Sequence, residues 1–465
     1  MNLAIIVIAL LTLIYLAYRG YSVILIAPLC ALGAVLLTSP AAVGPAFFGI
    51  FMPKMVGFLS NYFPVFMLGA IFGKLMEVSG FAHTILSYFI RTFGTKYTML
   101  MVIAVSTLLT YGGVTVFIVV FAVYPFAAEA FRSAGIPKRL LPASIALGAC
   151  TYAIDALPGS PQIQNIIPTT FYGTTVWAAP WMGLIGALMI FGGGFAYLNW
   201  RLRCAKRDGE GYGENHINEP DHSSQEKVSL GNPIIALIPL ALVFVVNYVL
   251  SNSLPDLLPN SYVLQLSDSS SPVTVSLKKL SGIGSVMLAL SSAILFTLAV
   301  SWSKIIPQLK ENTSKAVSGA MLASMNTASE FGFGAVISAL PGFAIATGAL
   351  NSFESPLINT AITVNLLSGL TGSAVAGLSI TLATLSDQFI QAAHQYGIPM
   401  DVMHRISSMA SGGMDTLPHN GAIITLLLVC GLTHRQSYKD IFVITLIKTV
   451  TVFAIIGVYT LMNVQ

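Results

Sequence analysis

The chain has 465 residues, of which 55% are hydrophobic and 9% are charged, and its mean hydropathy is +0.80. Soluble domains carry about 25% charged residues, so this composition excludes an ordinary soluble protein. The net charge of +4 is small and dispersed, which argues against a nucleic-acid partner. Apolar runs of roughly 20 residues recur, and the short alternating segments of a membrane β-barrel are absent. We therefore expect an all-α polytopic membrane protein.

In chain order, the sequence predicts ten membrane spans and two further apolar stretches. The first apolar segment lacks the basic start and the cleavage site of a signal peptide, so we expect a retained helix. The spans cover about 3–18, 22–38, 58–90, 140–175, 178–200, 231–251, 281–302, 317–350, 402–433 and 440–462. The four cysteines form no metal-binding pattern, and no metal or cofactor is expected.

The two further stretches, about 98–131 and 357–395, each carry a break rich in Gly, Ser and Thr near the middle. We interpret each as a re-entrant helical hairpin. Non-helical backbone at membrane depth is tolerated only inside protein or beside a water-filled cavity, so the tips are expected to line a transport path. An ordinary pair of helices or a glycine-kinked span is the alternative.

The chain also repeats itself. Asp155-Ala-Leu-Pro-Gly-Ser160 returns about 260 residues later as Asp415-Thr-Leu-Pro-His-Asn420, and Gly135-Ile-Pro137 returns as Gly397-Ile-Pro399. Matched Gly/Pro interruptions in two halves of a membrane chain indicate a secondary transporter and its binding site. The sequence thus predicts a first repeat over 1–203 and a second over 230–465, joined by a flexible polar linker over 204–229.

The basic residues predict an orientation. If the linker lies in the cytoplasm, most of the 22 Lys and Arg residues fall on its side of the membrane, as the positive-inside rule requires. Both termini are then periplasmic. The two repeats run in opposite directions, each with five spans, one of them broken, and one hairpin. An inverted repeat lets one central site open to either side by near-equivalent motions.

Prolines predict where the spans 140–175 and 402–433 break, because proline lacks the N–H that a helix needs. A break leaves orphan N–H groups and a positive dipole end, and two such ends at mid-membrane form an anion site. Glycine at the tips allows close approach of the backbone to a ligand. For each residue the alternative is a packing role at a kink. The predicted substrate-binding residues are Thr110, Gly112, Gly113, Thr115, Pro158, Gly159, Ser160, Gln162, Asn165, Thr371, Gly372, Ser373, Pro418, His419, Asn420 and Gly421.

Charged residues refine this prediction. No arginine or lysine adjoins either break in the sequence, which favours a small monocarboxylate over a polyanion because arginine is the usual partner of a carboxylate. Acids inside a bilayer are usually functional, so Asp155, Asp415 and Glu330 are the candidates for binding a coupling ion. Capping of a kinked helix is the alternative for the two aspartates. Histidine titrates near neutrality, so His419 could donate a hydrogen bond to a carboxylate; a purely structural role at the kink is the alternative.

The break motifs, Asp155-Ala-Leu-Pro-Gly-Ser-Pro-Gln-Ile-Gln-Asn165 and Leu417-Pro-His-Asn-Gly421, resemble those of the gluconate permease family of the ion transporter superfamily. The chain looks most similar to the branch that carries 3-hydroxybutyrate and short-chain monocarboxylates. The resemblance implies proton symport of small organic anions across a bacterial inner membrane, an elevator-type motion of hairpins and broken helices, and a homodimer.

Two other functions stay open on the residues alone. One is a sodium/proton antiporter of the same superfamily, because Asp155 and Asp415 could bind a cation. The other, from a different class, is an intramembrane aspartyl protease with these two residues as its dyad. No other catalytic arrangement is present, and we expect a protein that is not an enzyme.

Overall fold

The computed structural model describes residues 2–19, 21–214, 216–219, 231–257, 261–264, 273–275, 277–343, 355–418 and 420–463. The first half contains α1 (Asn2–Tyr18), α2 (Val23–Thr38), α3 (Val43–Ala46), α4 (Met52–Val78), α5 (Phe81–Phe93), α6 (Thr98–Tyr111), α7 (Val116–Ser133), α8 (Leu141–Ala149), α9 (Tyr152–Asp155), α10 (Ile163–Tyr172) and α11 (Pro180–Arg207). The second half contains α12 (Pro233–Leu257), α13 (Leu277–Val300), α14 (Trp302–Ile305), α15 (Leu309–Ser338), α16 (Pro356–Thr371), α17 (Ala374–Gln395), α18 (Met400–Ser411), α19 (Gly421–Val429) and α20 (His434–Asn463).

The prediction of an all-α polytopic membrane protein is confirmed. Six helices in the described part of the chain are long and apolar enough to cross a membrane. The described strands, β1 (Tyr262–Leu264) and β2 (Val273–Val275), pair antiparallel between α12 and α13. Large apolar side chains such as Leu37 and Leu461 lie exposed, whereas Arg405 and Lys448 are buried. Apolar side chains outside and charges inside are what a surrounding lipid bilayer requires.

The predicted span 58–90 is wrong, because it is two helices. The first, α4, ends at Val78, and Gly80 then adopts a left-handed backbone (φ 78°) that a helix cannot continue through. The hydroxyl of Ser79 accepts from the amide of Phe81 and so stabilises the turn. The following helix, α5, is amphipathic, with polar and apolar side chains segregated.

The helices pack in two sets. One set consists of α1, α2, α4, α12, α13 and α15. The other consists of α6 to α11 with α16 to α20 and contains both predicted hairpins and both predicted breaks. The sets meet mainly where α15 packs against α17 and where α10 packs against α13. This arrangement places the two predicted breaks and the two predicted hairpins in the same set.

The predicted flexible linker is docked over its described part. Residues 204–207 complete α11, and the described residues 208–214 and 216–219 then contact α7 and the end of α19. The physical reason is charge, because Glu210 pairs with Arg139 and Glu219 pairs with Lys138 and Arg132. Polarity and glycine content predicted mobility here, but acidic side chains with basic partners hold the chain in place.

Candidate functional site

The first break separates α8, the single turn α9 and α10, and it falls at the predicted prolines. Side chains replace the missing helical hydrogen bonds. The hydroxyl of Ser160 donates to the carbonyl of Ala153 (2.7 Å), and the Asn165 amide donates to the carbonyls of Ser160 and Val176 (both 2.9 Å). Both side chains are fully buried. These contacts give a non-helical segment a fixed shape at the centre of the helical set.

The second break separates α18 from α19, and Asn420 organises it. Its side-chain oxygen accepts from the amides of Ala422 and Ile423, which caps α19, while its NH2 group donates to the carbonyls of Asp415 (2.6 Å) and Gly372 (2.7 Å). Predicted site residue His419 lies outside the described residues.

The structure brings each break against a hairpin tip. In the first half, Gln162 donates to the carbonyl of Thr110 (2.6 Å), and the hydroxyl of Tyr111 donates to the carbonyl of Pro158 (2.7 Å). In the second half, Asn420 makes the corresponding contact with Gly372. Amide side chains at the breaks therefore fix the position of both tips.

The tips depend on glycine. Gly113 (φ 96°) and Gly372 (φ 65°) lie in the left-handed region, which side chains with a Cβ rarely adopt. A Cβ at Gly113 would lie 2.9 Å from Leu290 and 3.3 Å from Pro161 of the first break. Glycine at these tips therefore allows the turn and, at Gly113, close packing against Leu290 and the first break; close approach to a ligand stays a prediction.

The remaining predicted residues lie at helix ends or make hydrogen bonds with side chains and main-chain groups nearby. Gly112 ends α6 against Leu240, Thr115 precedes α7, and the Gly159 carbonyl accepts from Asn247. The Thr371 hydroxyl donates to the carbonyl of Leu367, Ser373 caps α17, the Pro418 carbonyl lies 2.9 Å from the His434 ring, and Gly421 opens α19.

Four charged side chains meet where the two breaks approach each other. Their exposed fractions are 1% for Asp155, 0% for Arg405, 5% for Asp415 and 1% for Lys448. Lys448 donates to Asp415 (2.8 Å) and to the carbonyl of Cys150 (2.8 Å), which ties the second break and α20 to the first break. If all four are ionised, the formal charge of the group is zero.

Arg405, a residue of the second half, hydrogen-bonds the exposed main-chain carbonyls of the first break. Its guanidinium donates six hydrogen bonds: to the carbonyls of Asp155, Ala156, Val176 and Ala178, with two to Ala178, and to the side-chain oxygen of Asn165. All five of its N–H groups are used. Arg405 thus satisfies carbonyls that the break deprives of helical partners.

Asp155 differs from the other three charges. Its main-chain carbonyl accepts from Arg405 and from the Ser408 hydroxyl, but in the described residues neither oxygen of its carboxylate accepts a hydrogen bond of good geometry. The carboxylate lies directly against Gly412, and Lys448, Asp415 and Arg405 are within electrostatic range. A buried carboxylate without hydrogen bonds is costly, so this group must be balanced by a proton or by the neighbouring cations.

The expectation that no basic residue lies at a break is wrong. Arg405 and Lys448 are distant in sequence from the first break, and tertiary packing brings them to it. Glu330 is not brought to the group, because it lies on α15 beside Phe331 with no charged side chain of the described chain in electrostatic range. The signal for the two cations was present, since charged residues inside apolar spans are rare whatever their sign.

Comparison with known proteins identifies the family. No protein-family model matches the chain. A curated relative from Bacillus subtilis (strain 168), the uncharacterized transporter YxjC, is 50% identical over 468 residues, and the alignment covers 99% of each chain. The chain belongs to the family of that transporter. A weaker likeness, with 15% identity and a TM-score of 0.44, extends over 87% of this chain and 86% of the YdaH transporter of Alcanivorax borkumensis.

This member of the YxjC family also presents uncharged polar groups at the breaks. The amide of Asn365 on α16 is buried, lies against Gly413 and has no partner among the described residues. The buried hydroxyls of Thr110 and Ser368 likewise lack described partners. Buried groups without partners are the exception in folded proteins and mark places where another molecule can complete the hydrogen bonding.

Replacing Gly412 by alanine should displace Asp155 and reduce transport by at least about tenfold, because a buried site tolerates little added volume. A Cβ at Gly412 would lie 1.6 Å from the Asp155 carboxylate. The measurement is uptake per folded molecule in proteoliposomes. Gly457→Ala on α20 is the matched control, since a Cβ there meets nothing within 4 Å and the residue lies outside the predicted site. Equal uptake by the two variants would show that the contact between Asp155 and Gly412 does not matter.

Proposed function

We propose that this chain is a proton-coupled symporter for a small hydroxy-monocarboxylate of the 3-hydroxybutyrate or gluconate type. The observation that carries the proposal is the buried group of two acids and two bases at the junction of the breaks, in which the carboxylate of Asp155 accepts no hydrogen bond from the described residues. Family membership supports transport, and the break motifs support a small organic anion as substrate.

The charges of the group explain how a proton and an anion could bind together. Protonation of Asp155 leaves Arg405 and Lys448 opposed by Asp415 alone, so the group gains one net positive charge. A monocarboxylate restores neutrality. Since an unbalanced charge in a low-dielectric interior costs several kcal/mol, proton and anion binding favour each other. Arg405 attracts the anion through its positive charge and not through a hydrogen bond, because its N–H groups already donate to the protein.

The breaks and tips supply direct contacts in this proposal. Asn365, Thr110 and Ser368 would donate to the substrate's carboxylate and hydroxyl groups, and the N-terminus of α19 would add its dipole. The two halves, 1–203 and 230–465, act as inverted repeats. The helical set that holds the breaks moves against the set of α1, α2, α4, α12, α13 and α15 in an elevator-type cycle.

Uptake by proteoliposomes tests the proposal. Labelled 3-hydroxybutyrate should accumulate inside the proteoliposomes under an inward proton gradient. This accumulation should be lost when a protonophore is added. A competition panel of C3–C6 hydroxy acids then ranks substrates. Accumulation that is equally strong without any ion gradient would refute symport. Sodium-dependent proton release without any need for an organic acid would favour a sodium/proton antiporter instead.

A further inference from the structure

Two helices of the repeats, α4 and α15, carry the same short pattern. The matching residues are Asn61, Phe66, Gly69 and Ala70 on α4 and, 265 positions later, Asn326, Phe331, Gly334 and Ala335 on α15. In this alignment Glu330 takes the place of Val65. Both helices belong to the set of α1, α2, α4, α12, α13 and α15, which we call the fixed set. The set that holds the breaks is called the moving set.

The two helices meet the moving set in different registers. A Cβ at Gly69 would lie 3.7 Å from the carbonyl of Gly113 at the first tip. Its counterpart, a Cβ at Gly334, would lie 3.1 Å from Ile380, seven positions beyond Ser373 of the second tip. Seven residues of helix span about 10 Å. In inverted repeats, one translation of the moving set by about that distance exchanges the two registers, and it is the kind of motion that the proposed function requires.

The burial of Val65 and Glu330 differs in this structure. Each residue lies four positions before its glycine, Gly69 or Gly334, and therefore on the helix face that meets the moving set. Val65 is 2% exposed, whereas Glu330 is partly exposed. The exchange of registers would place Glu330 in surroundings equivalent to those that Val65 has now. The opposite end of the motion would therefore bury the carboxyl group of Glu330.

Glu330 has no partner of opposite charge. Among the described residues it makes no hydrogen bond or ion pair, and no charged side chain lies in electrostatic range. Of the helices that contact α15, α2 and α10 carry no charge, and the titratable charged groups on α4 and α17 are Lys54, Lys74, Glu77, Asp387 and His394. Burial of an unpaired carboxylate is costly, so the group must be neutral when it is buried.

A buried acceptor lies close to Glu330. Asn326 precedes it by one turn of α15, and the side-chain oxygen of Asn326 has no partner among the described residues. Residues four apart on a helix are neighbours. A protonated carboxyl group can donate an O–H hydrogen bond, which a carboxylate cannot do. Protonation would thus remove the charge of Glu330 and supply the donor that Asn326 lacks.

We propose that Glu330 is a second proton-binding site, whose affinity for a proton rises when the moving set travels to the opposite end. This inference rests on the proposed transport function for the motion itself. Glu330 lies on the fixed set and apart from the charged group at the breaks, so its proton controls the motion, while the proton of Asp155 accompanies the substrate. Because the opposite state binds the proton of Glu330 more tightly, acid favours that state.

Distances between spin labels test the proposal, because the motion displaces α17 along α15. In a cysteine-free chain in lipid nanodiscs, the labels replace the exposed residues Ser318 on α15 and Gln388 on α17. Acid should raise the ratio of the opposite state to the present one by up to about tenfold per pH unit, the limit for a single proton. Glu330→Gln, which is neutral at every pH, should populate the opposite state more and lose this response. Any response of Asp155 is common to both chains.

Glu311→Gln is the matched control, because it makes the same change of charge at an exposed position of α15. It should respond to pH as the unsubstituted protein does. The double variant Val65→Glu/Glu330→Val moves the carboxyl group to the other repeat, so its response to acid should have the opposite sign. Equal responses in Glu330→Gln and Glu311→Gln, or a single label distance at every pH, would overturn the inference. The distances need no substrate, so failure of the proposed substrate leaves this result readable.

Discussion

Replacement of Asp155 by asparagine should abolish proton-driven accumulation of substrate while leaving exchange of substrate across the membrane intact. Asparagine has nearly the same shape, and the carboxylate makes no hydrogen bond in the described structure that the change would break. The variant holds the group permanently in the charge state of protonated Asp155. It should therefore bind and move the anion but fail to couple this movement to protons, so the internal substrate concentration should not rise above the external one, as expected when an intramembrane acid that carries the coupling ion is lost.

Two assays separate these effects. Uptake under an inward proton gradient measures coupling, and counterflow at equal pH on both sides measures substrate movement alone. Counterflow within a few-fold of the unsubstituted protein, together with lost accumulation, supports the assignment. If the pH dependence of uptake is unchanged in Asp155→Asn, Asp155 does not carry the proton.

Asp415→Asn is the informative comparison, because the two aspartates occupy equivalent places in the repeated motif. Asp415 is paired with Lys448 at 2.8 Å, so its loss leaves a buried ammonium group without its counter-ion. Breaking a buried pair typically costs about 3–5 kcal/mol. This variant should lose folded protein rather than coupling alone, and the yield of monodisperse protein in detergent measures the difference.

The breaks and tips could be predicted from sequence because their causes are local. Proline removes a hydrogen bond wherever it stands in a helix, and glycine allows the left-handed turn at Gly113 and Gly372. The repeat pointed to the same positions a second time. Contacts such as Gln162 with the first tip and Asn420 with the second follow from amide groups placed beside those local interruptions.

The charged group could not be predicted from local sequence features in the way that the breaks and tips were. Arg405 reaches the carbonyl of Asp155 across 250 positions of sequence, and Lys448 reaches that of Cys150 across 298. Their position inside apolar spans marks the two cations as unusual, but nothing local says which carbonyls or carboxylates they contact. The symmetry of the motif also suggested equal roles for Asp155 and Asp415, but a repeat fixes backbone geometry and not the side chains that later pack against it.

Arg405→Met should prevent both transport and stable folding, because the Arg405 side chain makes six hydrogen bonds at the first break. The change keeps much of the apolar stem but removes six hydrogen bonds, leaving the buried carbonyls of Ala156 and Ala178 without that donor, while the carbonyl of Val176 keeps Asn165. Each unsatisfied buried group costs about 1–3 kcal/mol, and a whole protein is stable by only about 5–15 kcal/mol.

Arg405→Lys separates charge from geometry. Lysine keeps the positive charge but has three donors on a single nitrogen, and it cannot reach acceptors on both sides of the break as the planar guanidinium does. We expect this variant to fold with a lower thermal unfolding temperature in detergent and to transport at least about tenfold more slowly, because a misplaced site loses pre-organised geometry. If charge alone mattered, Arg405→Lys would match the unsubstituted protein in both measurements, and the carbonyl contacts of the guanidinium would then be incidental to the break.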